Sequence, residues 1–377
     1  MFLISLLRQL AFSLYDYRAI HVVPNNIEIA VIHIPDQIGD AMSVFPIIRS
    51  LEQQRIKHLI IVASRMNQSV FDALSLNHTE LTVIAMNFQD KASLKEIKEV
   101  AKRIRNHYGK PDICIEAMRK KNLKTMCFIS HLRAKTNLQA VGLLMKCYAT
   151  SCEIASRMDQ QFRAPVPMTW AILMREAGFP TVRASFEFPL SEETLSEVSQ
   201  QTHSLEHYIA FNFEGSVQER TFSLPVARQL VEIITESINL PIIIVHGPKG
   251  KDNATELVKS HPNVHQLSLP PSIGRSAAVI KNAFMAITPD TSILHIASAY
   301  NIPTIAVYSN YKTRWPPMQD FSETIVVGNY IDHINLNEFR NSLRSVISRI
   351  PTIEGQLIKD GTANDFGAQS SRSVPAH

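Results

Sequence analysis

The sequence predicts an α/β chain built on two parallel sheets. Two observations carry this. After Pro24, short β-branched apolar runs alternate with longer amphipathic segments, the pattern of βαβ units. The same alternation begins afresh near Tyr208. Size agrees, since 377 residues that are 45% hydrophobic and 19% charged hold enough apolar material for two packed cores.

In the first half, strands are expected at 27–34 (IEIAVIHI), 58–63, 81–85 and 112–115, with helices at 41–53 and 94–107 between them. The second half opens with a strand at 208–213 (YIAFNF), then a helix at 226–236, a strand at 241–245 and a helix at 272–282. Strand 284–287, helix 293–300 and strand 304–308 complete it. The stretch 189–204 is polar, carries helix-cap residues and reads as the crossover between domains. The expected organisation is an amphipathic N-terminal segment over 1–24, a first domain over 25–188, a second over 189–350, and a disordered tail over 351–377. That tail has few large apolar residues to offset the entropy of ordering.

The net charge of +4 comes from 38 basic and 34 acidic residues, so the chain is no general polycation and nucleic acid is not an expected partner. Cys114, Cys127, Cys147 and Cys152 form neither C-x-x-C pairs nor zinc spacing, so reduced thiols in a cytosolic setting are expected. Leu3, Leu6, Leu7, Leu10 and Leu14 fall on one face of a possible helix, which either docks on the domain or rests on a membrane surface. Arg8 interrupts the apolar start, no basic leader or small-residue cleavage site is present, and no run is long enough to span a bilayer. Neither a signal peptide nor a transmembrane segment is expected.

Three segments carry candidate chemistry. In IHIPDQIGDAMSVFPIIRSL (32–51) a strand runs into a loop and a helix opening at Asp40, at the kind of strand end where α/β folds gather ligands. There Asp40 is placed to take a proton from a hydroxyl, although Asp is also an ordinary N-cap. In ITPDTSILHIASAYNIPTIAVYS (287–309), Asp290, Thr291 and Ser292 open a helix, the natural seat of a phosphate. His295 lies one turn on, where a packed core histidine is the bland alternative. In FNFEGSVQERTFSLPVARQL (211–230), Ser216 and Arg220 follow a strand, with Arg220 available either to neutralise a leaving phosphate or as an ordinary surface cation.

Between Ala117 and Cys152 no acidic residue occurs, whereas Arg119, Lys120, Lys121, Lys124, Arg133, Lys135 and Lys146 do. Such one-sided charge suits an anionic partner, a solvated face being the usual alternative. There is no D-x-D, H-E-x-x-H, G-x-S-x-G or G-x-G-x-x-G. HGPKGKD (246–252) has the wrong glycine spacing for a P-loop, and Asp252 stands where Ser or Thr would hold magnesium. Metal-dependent phosphate chemistry is disfavoured.

At IGDAMSVFPIIRSL, GSVQERTFSLP, PDTSILHIASAYNIPTIAVYS and TRWPP (313–317), in that order and spacing, the chain resembles the ADP-heptose:lipopolysaccharide heptosyltransferases, glycosyltransferase family 9. The resemblance runs from about residue 27 to residue 350. It implies a GT-B architecture, two Rossmann-like domains with parallel sheets facing across a cleft. The acceptor would lie on the first domain and the nucleotide sugar on the second, with transfer by inversion and no metal or other cofactor.

Carried over residue by residue, the resemblance implies Asp40 as general base and Arg220, where Lys is usual, as the balance for donor phosphate charge. Ser216, Asp290, Thr291, Ser292 and His295 match donor-binding positions. Arg119, Lys120, Lys121 and Lys124 would face the anionic lipopolysaccharide core, at the cytoplasmic face of the inner membrane. Ser292 replaces the usual Gly and Phe222 the usual Trp, departures that bear on the donor more than on the fold. The alternatives are another nucleotide sugar, a protein or capsule acceptor, or a non-catalytic binding member. The last is opposed by the presence of Asp40, Asp290 and His295 together.

Overall fold

The structure, a computed structural model, describes residues 11–119, 122–142, 145–310 and 314–350. The expectations for Leu3, Leu6, Leu7, Leu10, Lys120, Lys121, Thr313 and the 351–377 tail lie outside the described residues.

The first half runs β1 (Ile29–Ile34), α1 (Ile38–Ser43), α2 (Phe45–Gln53), β2 (His58–Ser64), β3 (Glu80–Met86), α3 (Leu94–Tyr108), β4 (Ile113–Glu116), α4 (Leu123–Leu132), β5 (Thr136–Leu138), α5 (Ser151–Phe162) and α6 (Val166–Glu176). Its strands form one parallel sheet in the order β3-β2-β1-β4-β5. The second half runs α7 (Glu192–Thr202), β6 (Ile209–Asn212), α8 (Leu224–Ser237), β7 (Ile242–Val245), α9 (Lys251–Ser260), β8 (Val264–His265), α10 (Ile273–Lys281), β9 (Met285–Pro289), α11 (Ser292–Ala299), β10 (Thr304–Tyr308), β11 (Ser322–Val326) and α12 (Leu336–Arg349). It forms a second parallel sheet, β11-β10-β9-β6-β7-β8.

The strands are near-continuous Ile, Val and Leu runs because helices cover both faces of each sheet: Ala30 to Ile34 and Ile242 to Val245 are buried throughout. In each sheet the winding reverses beside the first strand, between β1 and β4 and again between β6 and β9. Adjacent loops diverge at such a switch point and leave a crevice at the carboxyl ends of the strands. The loops after β1, β4, β6 and β9 therefore open into the cleft by topology alone.

The helix expected at 41–53 is two helices. Pro46, in the first turn of α2, has no amide to donate back to Met42, and the chain turns at Val44. The expected crossover forms α7, capped by Ser191, whose Oγ accepts from the Thr194 amide at 3.2 Å. Just before it, Glu187 pairs with Arg49 of α2 at 2.6 Å and ties the crossing chain to the first half. Trp170 of α6 is fully buried and donates to Ser43 Oγ at 3.2 Å. Ile293, Ile296 and Val245 of the second half join the apolar cluster of the first, so the halves share packed surface. Among the described residues no helix is long and apolar enough to cross a membrane.

Candidate active site

The cleft holds a cavity of about 570 Å³ that draws its wall from both halves. Gln37, Gly39 and Asp40 of the first face the loops that follow β6, β7 and β9 of the second.

Asn212, the last residue of β6, organises the second-half wall. Its Nδ2 donates to Thr288 Oγ1 at 2.9 Å, to the Glu214 carbonyl at 3.1 Å and to Thr291 Oγ1 at 3.3 Å, pinning the β6 and β9 loops together. Thr291 caps α11, its Oγ1 accepting from the Ile293 amide at 3.2 Å. The positive end of that helix therefore points into the cavity, beside Ser292. Arg220 lies across the same loops: Nη1 donates to the Asp290 carbonyl at 3.0 Å and its carboxylate at 3.4 Å, and Nη2 donates to Ser216 Oγ at 3.0 Å. Arg220 is thus held in place by both loops, with its side chain about one-third exposed. Burial raises the Asp290 carboxyl above its usual range, and Arg220 offsets this only in part. Arg220 and a helix start at one wall make a site suited to an anion.

His295, on α11, is buried and stacks on Phe186 at 4.5 Å and 18°. Trp315 tilts onto it at 5.1 Å. Burial, with Arg220 nearby, lowers its pKa to about 3, so the ring is neutral. Its Nδ1 is buried without a hydrogen-bond partner, while another edge of the ring abuts Gly39. The packed-histidine reading and the cavity-lining one thus both hold.

Asp40 corrects the expectation of a helix opening at that residue. It is the third residue of α1, and the cap is Gln37, so Asp40 is not there as an N-cap. It borders both the 570 Å³ cavity and a neighbouring one of about 660 Å³, which Asp36, Phe88, Asp90, Met118 and Arg119 complete. Arg119 is mostly buried and sits in a left-handed backbone (φ 51°), a conformation that costs a non-glycine residue energy. Burial and Arg314 lower its pKa, opposed by Asp159, 3.7 Å away, and by Asp40.

Among the described residues the basic stretch does not form one surface. Lys124 reaches the same region, where its Nζ donates to the Gln89 and Asp90 carbonyls at 3.2 and 2.7 Å. Lys135 pairs with Asp112 at 2.6 Å just before β5 and β4 begin, at the far end of the sheet from the cleft.

Several lining residues escaped the sequence reading. Glu214 accepts from the Gly247 amide at 2.8 Å and so joins the β6 and β7 loops. His246, Gly247 and Pro248, set aside as a failed P-loop, line the cavity, as do Ser272 and Ile273 at the start of α10. Trp315 borders both cavities. Phe222 does not: it is buried in the core near Phe211. Among the described residues no three His, Cys, Asp or Glu side chains converge as metal ligands would.

Residues 149–338 match the model of the family described as glycosyltransferase family 9 (heptosyltransferase). A protein of Escherichia coli (strain K12), the uncharacterised YeeL, is 61% identical over 231 residues, covering 61% of this chain and 99% of that protein. Among solved structures, the glycosyl transferase family 9 from Veillonella parvula DSM 2008 superposes with a TM-score of 0.68 at 18% identity, covering 86% of this chain and 99% of that one. E. coli ADP-heptose lps heptosyltransferase II gives 0.62 at 14% identity, over 85% and 98% of the two chains. E. coli heptosyltransferase WaaC with ADP gives 0.62 at 15%, over 85% and 99%. At these identities the structural likeness is one of fold, two parallel-sheet domains of GT-B type. With the family match spanning half of its length, the chain belongs to glycosyltransferase family 9.

Proposed function

We propose that the chain is an inverting, metal-independent glycosyltransferase that moves a heptose from ADP-heptose to a sugar of the lipopolysaccharide core. The observation that carries this reading is one cavity with Asp40 on one wall and the Arg220, Ser216 and α11 pole on the other. In this mechanism Asp40 accepts the proton of an acceptor hydroxyl as its oxygen attacks the anomeric carbon. The bond from that carbon to the diphosphate breaks on the opposite face, and ADP leaves with the electron pair. Negative charge growing on the diphosphate is met by Arg220, by the Ser216 hydroxyl and by the amides opening α11 at Thr291 and Ser292, which are already in place before reaction. Asp290 holds Arg220 rather than a metal, and His295, being neutral, serves as a hydrogen-bonding or packing group on the donor. Arg119 and Lys124, with Lys120 and Lys121, receive the anionic acceptor, and the N-terminal segment rests on the cytoplasmic face of the inner membrane.

A second reading keeps the chemistry and changes the donor sugar, or the acceptor to a protein or capsule. It is favoured by Ser292 and Arg220, each of which departs from the family pattern at the donor wall. Thermal unfolding with ADP, UDP, GDP and TDP separates these readings, because a ligand that binds only the native state raises its stability with saturation. A selective shift with ADP is expected. A selective shift with another nucleotide overturns the ADP-heptose donor, and no shift with any of them overturns the nucleotide-sugar reading.

A further inference from the structure

Gln37, Asp40 and Trp315 border both the 570 Å³ cavity and the 660 Å³ one beside it, so they frame the passage between them. A group carried from a donor in the first to an acceptor in the second crosses there. Two of the three are polar. The third offers an indole backed by a stack of rings: Trp315 lies 5.1 Å from His295 and 6.1 Å from Phe186, and those two are 4.5 Å apart. Since His295 is neutral, this wall carries no charge to attract a phosphate. An apolar aromatic face instead suits the C–H surface of a pyranose ring.

The backbone on either side is anchored to both halves. Tyr308, at the end of β10, donates its hydroxyl to the Trp315 carbonyl at 2.8 Å. The adjacent Arg314 donates to Asp159 Oδ2 at 2.6 Å and to the Ala164 carbonyl at 3.0 Å, and its own carbonyl accepts from the Val166 amide at 3.2 Å. The indole is thus fixed at the seam, with one neighbour bound to the first half and its own carbonyl bound to the second sheet.

We infer that Trp315 is the wall on which the transferred sugar rests between the nucleotide and Asp40, and that it selects for the sugar of the donor rather than for its nucleotide. This rests on the glycosyl-transfer reading above.

The chain has two tryptophans, and both emit, Trp170 from a fully buried site on Ser43, so the share of Trp315 is the part of a ligand-dependent change that Trp315→Phe removes. The experiment titrates the full chain with ADP and with ADP-heptose, following fluorescence and thermal unfolding. In the wild type, ADP-heptose is expected to change the emission beyond what ADP does. In Trp315→Phe, which keeps an aromatic ring, that extra change is lost while stabilisation by ADP is unaltered. In Trp315→Ala, the affinity for ADP-heptose relative to ADP drops roughly tenfold. An unchanged affinity ratio in Trp315→Ala, or a sugar-dependent emission change that persists undiminished in Trp315→Phe, overturns the inference and leaves the nucleotide-binding reading intact. Failure of both ligands to stabilise the wild type overturns both.

Discussion

Gly39 and His295 meet across the two halves: a β-carbon built on Gly39 falls 2.8 Å from Cδ2 of His295. The imidazole has no room to retreat, because Phe186 and Trp315 pack on it. Two effects of Gly39→Ala therefore oppose each other. Alanine favours the helix by about 1 kcal/mol, whereas forcing a methyl into a packed seam costs about 1–3 kcal/mol. Packing is expected to win, giving a lower melting temperature and slower transfer. A higher melting temperature would mean that the seam is loose.

Asp40 borders both cavities from inside the first turn of α1. Replacing it with Asn keeps the shape and removes the base. Turnover should fall by about 10²–10⁴-fold, while the thermal shift with ADP stays as in the wild type. Undiminished turnover would remove Asp40 from the chemistry.

Arg220 bonds to Ser216 and Asp290 with different nitrogens of one fork. Lysine supplies the charge but is a point donor, so Arg220→Lys should keep part of the nucleotide affinity. Arg220→Ala should weaken nucleotide binding and also cut turnover by about 10²–10³-fold, as losses of preorganised charge do. Equal rates in all three proteins would contradict its part in charge stabilisation.

Acid should unfold the protein through its buried histidines. His33 stacks on Phe128 at 4.0 Å with neither ring nitrogen hydrogen-bonded, and burial lowers its pKa to about 3, as it does for His295. Unfolded, each titrates near 6.5. Between those values the unfolded chain binds more protons, so stability falls as pH drops from about 6.5 toward 3, at up to about 1.4 kcal/mol per pH unit for each histidine. Asp159 adds to the loss below pH 3.8, because hydrogen bonds from Arg314 and Thr169 outweigh burial and lower its pKa when folded. His33→Phe should flatten the upper part of that slope, measured by denaturant unfolding at several pH values. An unchanged slope would mean that His33 does not govern it.

The elements that read clearly in the sequence were those whose apolar pattern is local. Strand 304–308 matches β10 residue for residue, and helix 94–107 falls one residue short of α3. Helix α4 was invisible because Thr125 to Ile129 are buried one after another, which blurs the alternation of polar and apolar faces that sets a helical period. Strand β8, two residues long, is too short to show alternation.

The candidate site divides in the same way. Asp40, Ser216, Arg220, Asp290 and His295 stand in or near the first turn after a strand, where chain order alone brings them to a switch point, and all line one cavity. Trp315 lies in irregular chain, and its neighbour Arg314 is placed by Asp159, 155 residues away, so the TRWPP motif that contains it carried the resemblance without giving it a place at the site. The basic stretch divides in space for the complementary reason: α4 carries the chain from the cleft, at Arg119, back to Lys135 at the opposite end of the sheet.

The most direct measurement is transfer itself. The purified chain would be incubated with ADP-heptose and truncated lipopolysaccharide core acceptors in EDTA, and the product's anomeric configuration read by NMR. Release of ADP with a heptoside of inverted configuration, absent in Asp40→Asn, is the expected result. Retention of configuration, dependence on an added divalent metal, or no transfer to any core acceptor would contradict direct displacement across the cleft by Asp40 and Arg220.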